Sequence, residues 1–112
     1  MYAVFRTARF DKEFQKQLSP QEQKEIEHFE KTQLTANPYL EKPLGYRFFR
    51  EKKIDGKRIY YLIYEELQAV LLVGVSDKKS QRETIDEIKG LLKLYYETIR
   101  EALKQHGGSV PV

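Results

Sequence analysis

The chain is an α+β sequence with the element order β-αα-βββ-α. It predicts an N-terminal helical hairpin and a C-terminal helix packed on a four-stranded, mainly antiparallel sheet. Three observations carry this reading. Apolar residues recur at helical spacing before residue 36 and after residue 80, and at a period of two from Gly45 to Val75. Asp55-Gly56 joins two β-forming runs, a strong short hairpin signal. Ser19-Pro20-Gln21-Glu22 and Ser80-Gln81-Arg82-Glu83 each spell a helix start with the elements of a capping box.

The elements follow in order. YAVFRT is β-branched and aromatic enough for a short first strand. Phe10, Phe14 and Leu18 then fall at i, i+4 and i+8, which gives a helix with one buried stripe. Pro20 suits the first position of a second helix, Ile26 and Phe29 supply its face, and Asn37-Pro38 forces an extended exit after about residues 33–36. YRFFREKKI, KRIYYLIY and QAVLLVGV form a three-stranded meander, with a second turn around residues 65–67. A type I′ turn at Asp55-Gly56 sets Lys53 opposite Arg58, Lys52 opposite Ile59 and Glu51 opposite Tyr60. One face then carries Glu51, Lys53, Arg58 and Tyr60, and the other Ile54, Ile59, Tyr61 and Ile63. Of the pairs Phe48/Phe49, Tyr60/Tyr61 and Tyr95/Tyr96, each is expected to turn at most one ring inward. From Gln81 to Leu103, Ile85, Ile88, Leu92, Tyr95 and Ile99 mark a long amphipathic helix of ~35 Å at 1.5 Å per residue. Its last turns are expected either to overhang the sheet or to meet a partner. Gly90 inside it costs about 1 kcal/mol relative to Ala, so it either packs closely or marks a bend. Residues 1–106 read as one domain and 107–112 as a flexible tail.

At 112 residues, with 40% hydrophobic residues and a mean hydropathy of −0.67, the chain suits a single soluble domain with one modest core. No apolar run reaches the roughly 20 residues of a membrane span, and the N-terminus lacks the order of a signal peptide, so a cytoplasmic protein with no membrane partner is expected. The absence of cysteine excludes disulfides and thiolate metal sites, and the two histidines, His28 and His106, read as surface residues. Lys and Arg outnumber Asp and Glu by 20 to 17, too small an excess to announce a polyanion partner, so the placement of charge decides. Phosphate-binding GxxxxGK[ST], dinucleotide GxGxxG, zinc HExxH and Ser/His hydrolase patterns are all missing.

Charge concentrates at the hairpin: Arg47, Arg50, Lys52, Lys53, Lys57 and Arg58. Solvated edge cations that block sheet-to-sheet pairing are the plain alternative. Lys53 facing Arg58, however, puts two like charges across one ladder, a repulsion that a bound anion would relieve. Tyr60 and Phe49 on that face would be placed to stack bases, which makes these cations RNA-binding candidates. A second candidate lies at Lys78, Lys79 and Ser80, where a helix N-terminus favours phosphate; an ordinary capped helix start is the alternative.

This order of elements resembles the RelE/ParE superfamily of type II toxins over roughly residues 2–85. The resemblance rests on Asn37-Pro38 followed by Lys42-Pro43-Leu44, Lys53-Ile54 before the turn, Arg58-Ile59 after it, and the basic link after VLLVGV. It implies a concave basic sheet surface and, in the RelE branch, a ribosome-dependent endoribonuclease that cuts mRNA and inhibits translation, with a cognate antitoxin as partner. By the same resemblance Arg58 holds the scissile phosphate, Lys53 is a cation on the preceding strand, and Lys78 is the basic residue after the last strand. Attack of an RNA 2′-OH on its neighbouring phosphate needs placement, charge neutralisation and two proton transfers, so no cofactor is expected. The family's Tyr or His soon after the basic link is replaced by Gln81, Arg82, Glu83 and Thr84, which leaves Glu51, Tyr60 or Lys53 as proton carriers. A catalytically inert RNA- or protein-binding module, a gyrase-directed ParE-like toxin, and a homodimer built through the C-terminal helix stay open.

Overall fold

In the computed structural model, residues 1–105 and the backbone of 109–110 are described. His106 and most of the expected tail lie outside the described residues. The elements are β1 (Ala3–Thr7), α1 (Ala8–Gln17), α2 (Pro20–Phe29), β2 (Lys42–Pro43), β3 (Phe49–Ile54), β4 (Lys57–Tyr64), β5 (Ala69–Asp77), α3 (Gln81–Gly90), α4 (Leu92–Lys104) and β6 (Ser109–Val110). A π-helical stretch, Glu30–Leu34, extends α2 before the Asn37-Pro38 exit. The sheet has the order β2-β3-β4-β5-β1-β6. The four expected strands are its long members and the meander β3-β4-β5 pairs antiparallel as expected, but the sheet has further short strands and is mixed. β1 runs parallel to β5, β6 parallel to β1, and a two-residue β2 adds to the other edge.

Each helix start has an identifiable cause. Thr7 accepts the Phe10 N–H and opens α1. At α2 the full capping box forms, Ser19 Oγ accepting from Glu22 N and Glu22 Oε1 from Ser19 N. The second expected box, Ser80 to Glu83, does not form. Asp77 Oδ1 instead accepts both the Ser80 N–H, which Glu83 would have bound, and the Ser80 hydroxyl, at 2.8 and 2.9 Å, and the Ser80 backbone (ψ 10°) is not the extended one that Ser19 adopts. The long C-terminal helix breaks in two at Gly90 and Leu91. A Cβ at Gly90 would meet nothing within 4 Å, so this glycine marks a bend and not a close approach. The bend folds α4 back on the sheet and removes the expected overhang: Tyr95, Ile99 and Ala102 are buried.

Helices therefore cover both sheet faces. α1 and α2 bury Phe10, Phe14, Ile26 and Phe29 against Ile54, Ile59, Tyr61, Ile63, Val70 and Leu72. α3 and α4 bury Ile88, Tyr95 and Ile99 against Phe49, Tyr60, Leu62, Leu71 and Val73. Double coverage is why Tyr60 and Tyr61 are both buried, contrary to the expectation of one inward ring; the Phe48/Phe49 and Tyr95/Tyr96 pairs do split as expected. At the hairpin the register is the anticipated one, Lys53 against Arg58 and Glu51 against Tyr60. The turn is not type I′, because Asp55 (φ +51°), and not Gly56, carries the positive φ.

Candidate phosphate-binding site

Pleating sends Glu51, Lys53, Arg58 and Tyr60 to the α3/α4 face of the sheet, at the end of the strands where α3 begins. Across three strands they form two rows, Lys53–Arg58–Ser76 and Glu51–Tyr60–Gly74. Directly opposed side chains in such rows have Cβ atoms about 5 Å apart. Ser76 reaches this face because of a bulge. Tyr60 pairs with Gly74 and Tyr61 with Leu72, so Val73 is an extra residue that reverses the alternation of β5. Without it Ser76 would follow Val70 and Leu72 toward the helical hairpin.

Arg58 is only 8% exposed. Its Nη1 reaches the Gly56 carbonyl at a long 3.4 Å, its buried Nε has no hydrogen-bond partner, and no carboxylate among the described residues forms an ion pair with it. A buried guanidinium normally finds a carboxylate or a set of carbonyls. The neighbouring Glu51 does not serve. Its Oε1 accepts from Gln81 Nε2 at 2.7 Å, and its Oε2 is buried without a partner. The Glu51–Gln81 bond pins the first residue of α3 to the sheet and so fixes the basic link of Lys78 and Lys79, both exposed, beside the row. A groove of about 400 Å³ follows α3 from this link, lined by Lys78, Lys79, Gln81, Arg82 and Lys89 with Asp86.

The structure divides the expected RNA-binding residues. Lys53, Arg58, Lys78 and Lys79 lie on the α3 side. Arg50 and Lys52 point to the opposite face, since they alternate with Glu51 and Lys53. Arg50 is largely buried and donates to the carbonyls of Arg47 and Glu41, both at 2.8 Å, while Lys52 lies over Phe29 with its Nζ 4.0 Å from Glu41. Arg47 stacks on Tyr39 at 3.9 Å, and Lys57 donates to the Gln17 carbonyl at the end of α1. Each of these four cations has a partner within the fold, and none points to the α3 side with Arg58. Tyr60 and Phe49 are fully buried, so neither ring can stack on a base. The Tyr60 hydroxyl meets Ser76 Oγ at 2.7 Å, and Ser76 Oγ lies 3.0 Å from the Asp77 carbonyl. When Ser76 donates to that carbonyl, Tyr60 donates to Ser76. Burial raises the Tyr60 pKa, partly offset by Ser76, which further weakens the phenol as a proton carrier. Among the described residues no cluster of His, Asp or Glu is placed to hold a metal ion, and no helix is long and apolar enough to cross a membrane.

Sequence reasoning missed Ser76, whose orientation depends on the bulge, and Gln81, which holds Glu51. Gly74 within an apolar strand was the available sign of the bulge.

These features define a small α+β domain with an unpaired buried arginine on a sheet face beside a basic helix start. Solved structures with this architecture include three RelE-containing ones. The intact E. coli RelBE toxin–antitoxin complex matches with a TM-score of 0.59 at 18% identity, covering 69% of this chain and 96% of that one. The RelBE2 complex of Mycobacterium tuberculosis matches with a TM-score of 0.59 at 22% identity, covering 69% and 98%. The isolated E. coli RelE toxin matches with a TM-score of 0.59 at 18% identity, covering 79% and 99%. The chain has the RelE toxin fold. Nearly all of each neighbour is matched, whereas part of this chain has no counterpart in them. No family model and no curated protein matches the sequence.

Proposed function

We propose that this protein is the toxin of a toxin–antitoxin pair, a RelE-like endoribonuclease that cuts mRNA on the ribosome and so inhibits translation in the cytoplasm. The observation that carries this reading is Arg58: a nearly buried guanidinium, unpaired at Nε, with Lys53 directly across the ladder. A phosphate beside the guanidinium would supply acceptors that the fold does not and relieve the repulsion with Lys53; the buried Nε would join in once the side chain turned outward. In the reaction, the 2′-OH oxygen attacks the adjacent phosphorus, the 5′-oxygen leaves, and negative charge grows on the non-bridging oxygens. Arg58 and Lys53 are the groups that would bind that charge, and Lys78 would hold the backbone beside them. A cognate antitoxin would cover the basic surface, as a RelB partner accompanies RelE in the neighbouring complexes. A second copy would meet α4 at one of its two flanks, which expose Leu94 and Tyr96 respectively.

A second reading, an inert RNA-binding module of the same fold, is favoured by the burial of Glu51 and Tyr60. Of the three proton carriers considered, only Lys53 is exposed. Expression of the native protein and of an Arg58→Ala/Lys78→Ala variant in cells, with RNA ends mapped on translated messages, separates the readings. The nuclease predicts slowed growth and codon-phased ends that vanish in the variant; the inert module predicts no new ends in either. Growth inhibition that depends on gyrase would assign the ParE-like alternative.

A further inference from the structure

Burial of Phe49 and Tyr60 leaves the Arg58 face without a ring to receive a base, yet an exposed pair stands at the far end of the α3 groove. Tyr46 and Phe48, 45% and 37% exposed, stack with ring centroids 4.9 Å apart and planes 21° from parallel. We propose that this pair is a nucleobase-stacking platform for single-stranded RNA whose backbone follows the α3 groove away from Arg58. The proposal rests on RNA being the ligand of the Arg58 site.

The loop that bears the rings is tied down. Leu44 N–H donates to the Phe49 carbonyl at 2.9 Å, Phe49 N–H to Tyr46 at 3.2 Å, and Ile63 N–H to Phe48 at 2.7 Å. Gly45 turns the chain at φ +91°, and a Cβ there would sit 3.3 Å from Lys89 Nζ. Rings fixed in advance lose little freedom when a base lands on them. Between the platform and Arg58 the groove presents Lys78, Lys79, Arg82 and Lys89 against one lining carboxylate, Asp86. Arg82 and Lys89 are two helical turns apart, about 10 Å along the axis. Cations tracking a backbone and an exposed aromatic face beside them are the two parts of a sequence-tolerant single-strand site. Lys89 Nζ lies 5.7 Å from the centre of the Tyr46 ring, near the outer limit of a cation–π contact, so it can turn to a phosphate at little cost. An acidic peptide would satisfy the cations but makes no specific use of two stacked rings.

The test uses short single-stranded RNA carrying one 2-aminopurine, titrated with the full chain at several salt concentrations. Native protein should quench the fluorescence as the base stacks. Tyr46→Leu/Phe48→Leu should abolish the quenching and weaken binding about tenfold with an unchanged salt slope, while Lys89→Met should lower that slope by about 1. The single Tyr46→Leu variant, checked by thermal melt, guards against misfolding of the pair. A leucine pair that quenches and binds like the native protein overturns the platform alone, provided Arg58→Ala still abolishes message cleavage. Absence of RNA binding by the native protein overturns the platform together with the RNA reading of Arg58. Loss of acidic-peptide binding in the leucine pair, with RNA binding intact, overturns the RNA assignment in favour of a protein partner.

Discussion

At the scale of single residues, charge placement decides what each cation does. Arg50 and Arg58 are equally buried, yet Arg50 has two backbone carbonyls at 2.8 Å and Arg58 has one at 3.4 Å. Arg50 is thus satisfied by the fold and Arg58 is not. Arg58→Lys keeps the charge but removes the planar fork, so cleavage should fall while the melting temperature changes little; a ribosome-bound mRNA assay and a thermal melt check both. Asp55 provides a second residue-scale prediction. Its carboxyl pKa is raised, first by contact with the Glu22 carboxyl and then by its partial desolvation. A group whose folded pKa is raised stabilises the fold below its unfolded pKa and loses that contribution as pH rises through the folded value. Asp55→Asn removes this loss and suits the left-handed φ of +51°, so it should raise the melting temperature at pH 7. The gain should shrink in acid, where native Asp55 is protonated; a pH series of melts measures this.

Elements were legible where local chemistry had no competitor. The Ser19 box forms because nothing nearby bids for Ser19, and Ser19→Ala should cost about 1 kcal/mol in denaturant unfolding. Glu22 belongs to the same box. Its pKa is lowered, chiefly by the Ser19 backbone N–H, so its contribution is present above the ordinary Glu range and is lost as pH falls through the folded value. The Ser80 box failed because Asp77, just upstream, captures both Ser80 donors, a rivalry that the SQRE pattern alone does not reveal. Helical period alone also could not tell one long helix from two, since Ile88, Leu92, Tyr95 and Ile99 keep the same stripe across the break. Gly90→Ala, with open space for the new methyl group, should stabilise the protein by about 0.5–1 kcal/mol. The hairpin register was readable from Asp55-Gly56 and the alternation around it, whereas Ser76 was not, because the bulge at Val73 changes parity inside an unbroken apolar run.

Across the whole molecule, the sheet is buried on both sides and the candidate site is confined to one end. The α1/α2 core anchors the hairpin from beneath, so Phe14→Ala, at a fully buried position, should cost about 3–5 kcal/mol. That is a large share of a typical 5–15 kcal/mol total. The α3/α4 core fills the middle of the opposite face and leaves the Lys53–Arg58–Ser76 row at the strand ends. Sequence reading placed Lys53 and Arg58 together but also drew in Arg50 and Lys52, which the pleat turns away, and Tyr60, which α3 and α4 cover. Only the three-dimensional layering separates cations that brace the fold from those free to meet a ligand. The most direct measurement of the central claim is cleavage of ribosome-bound mRNA by the purified protein and by Arg58→Ala. Cuts by the native protein are expected, with a rate about 10²–10³-fold lower for the variant, the usual cost of removing one donor to developing charge. Equal rates from the two proteins would contradict the claim.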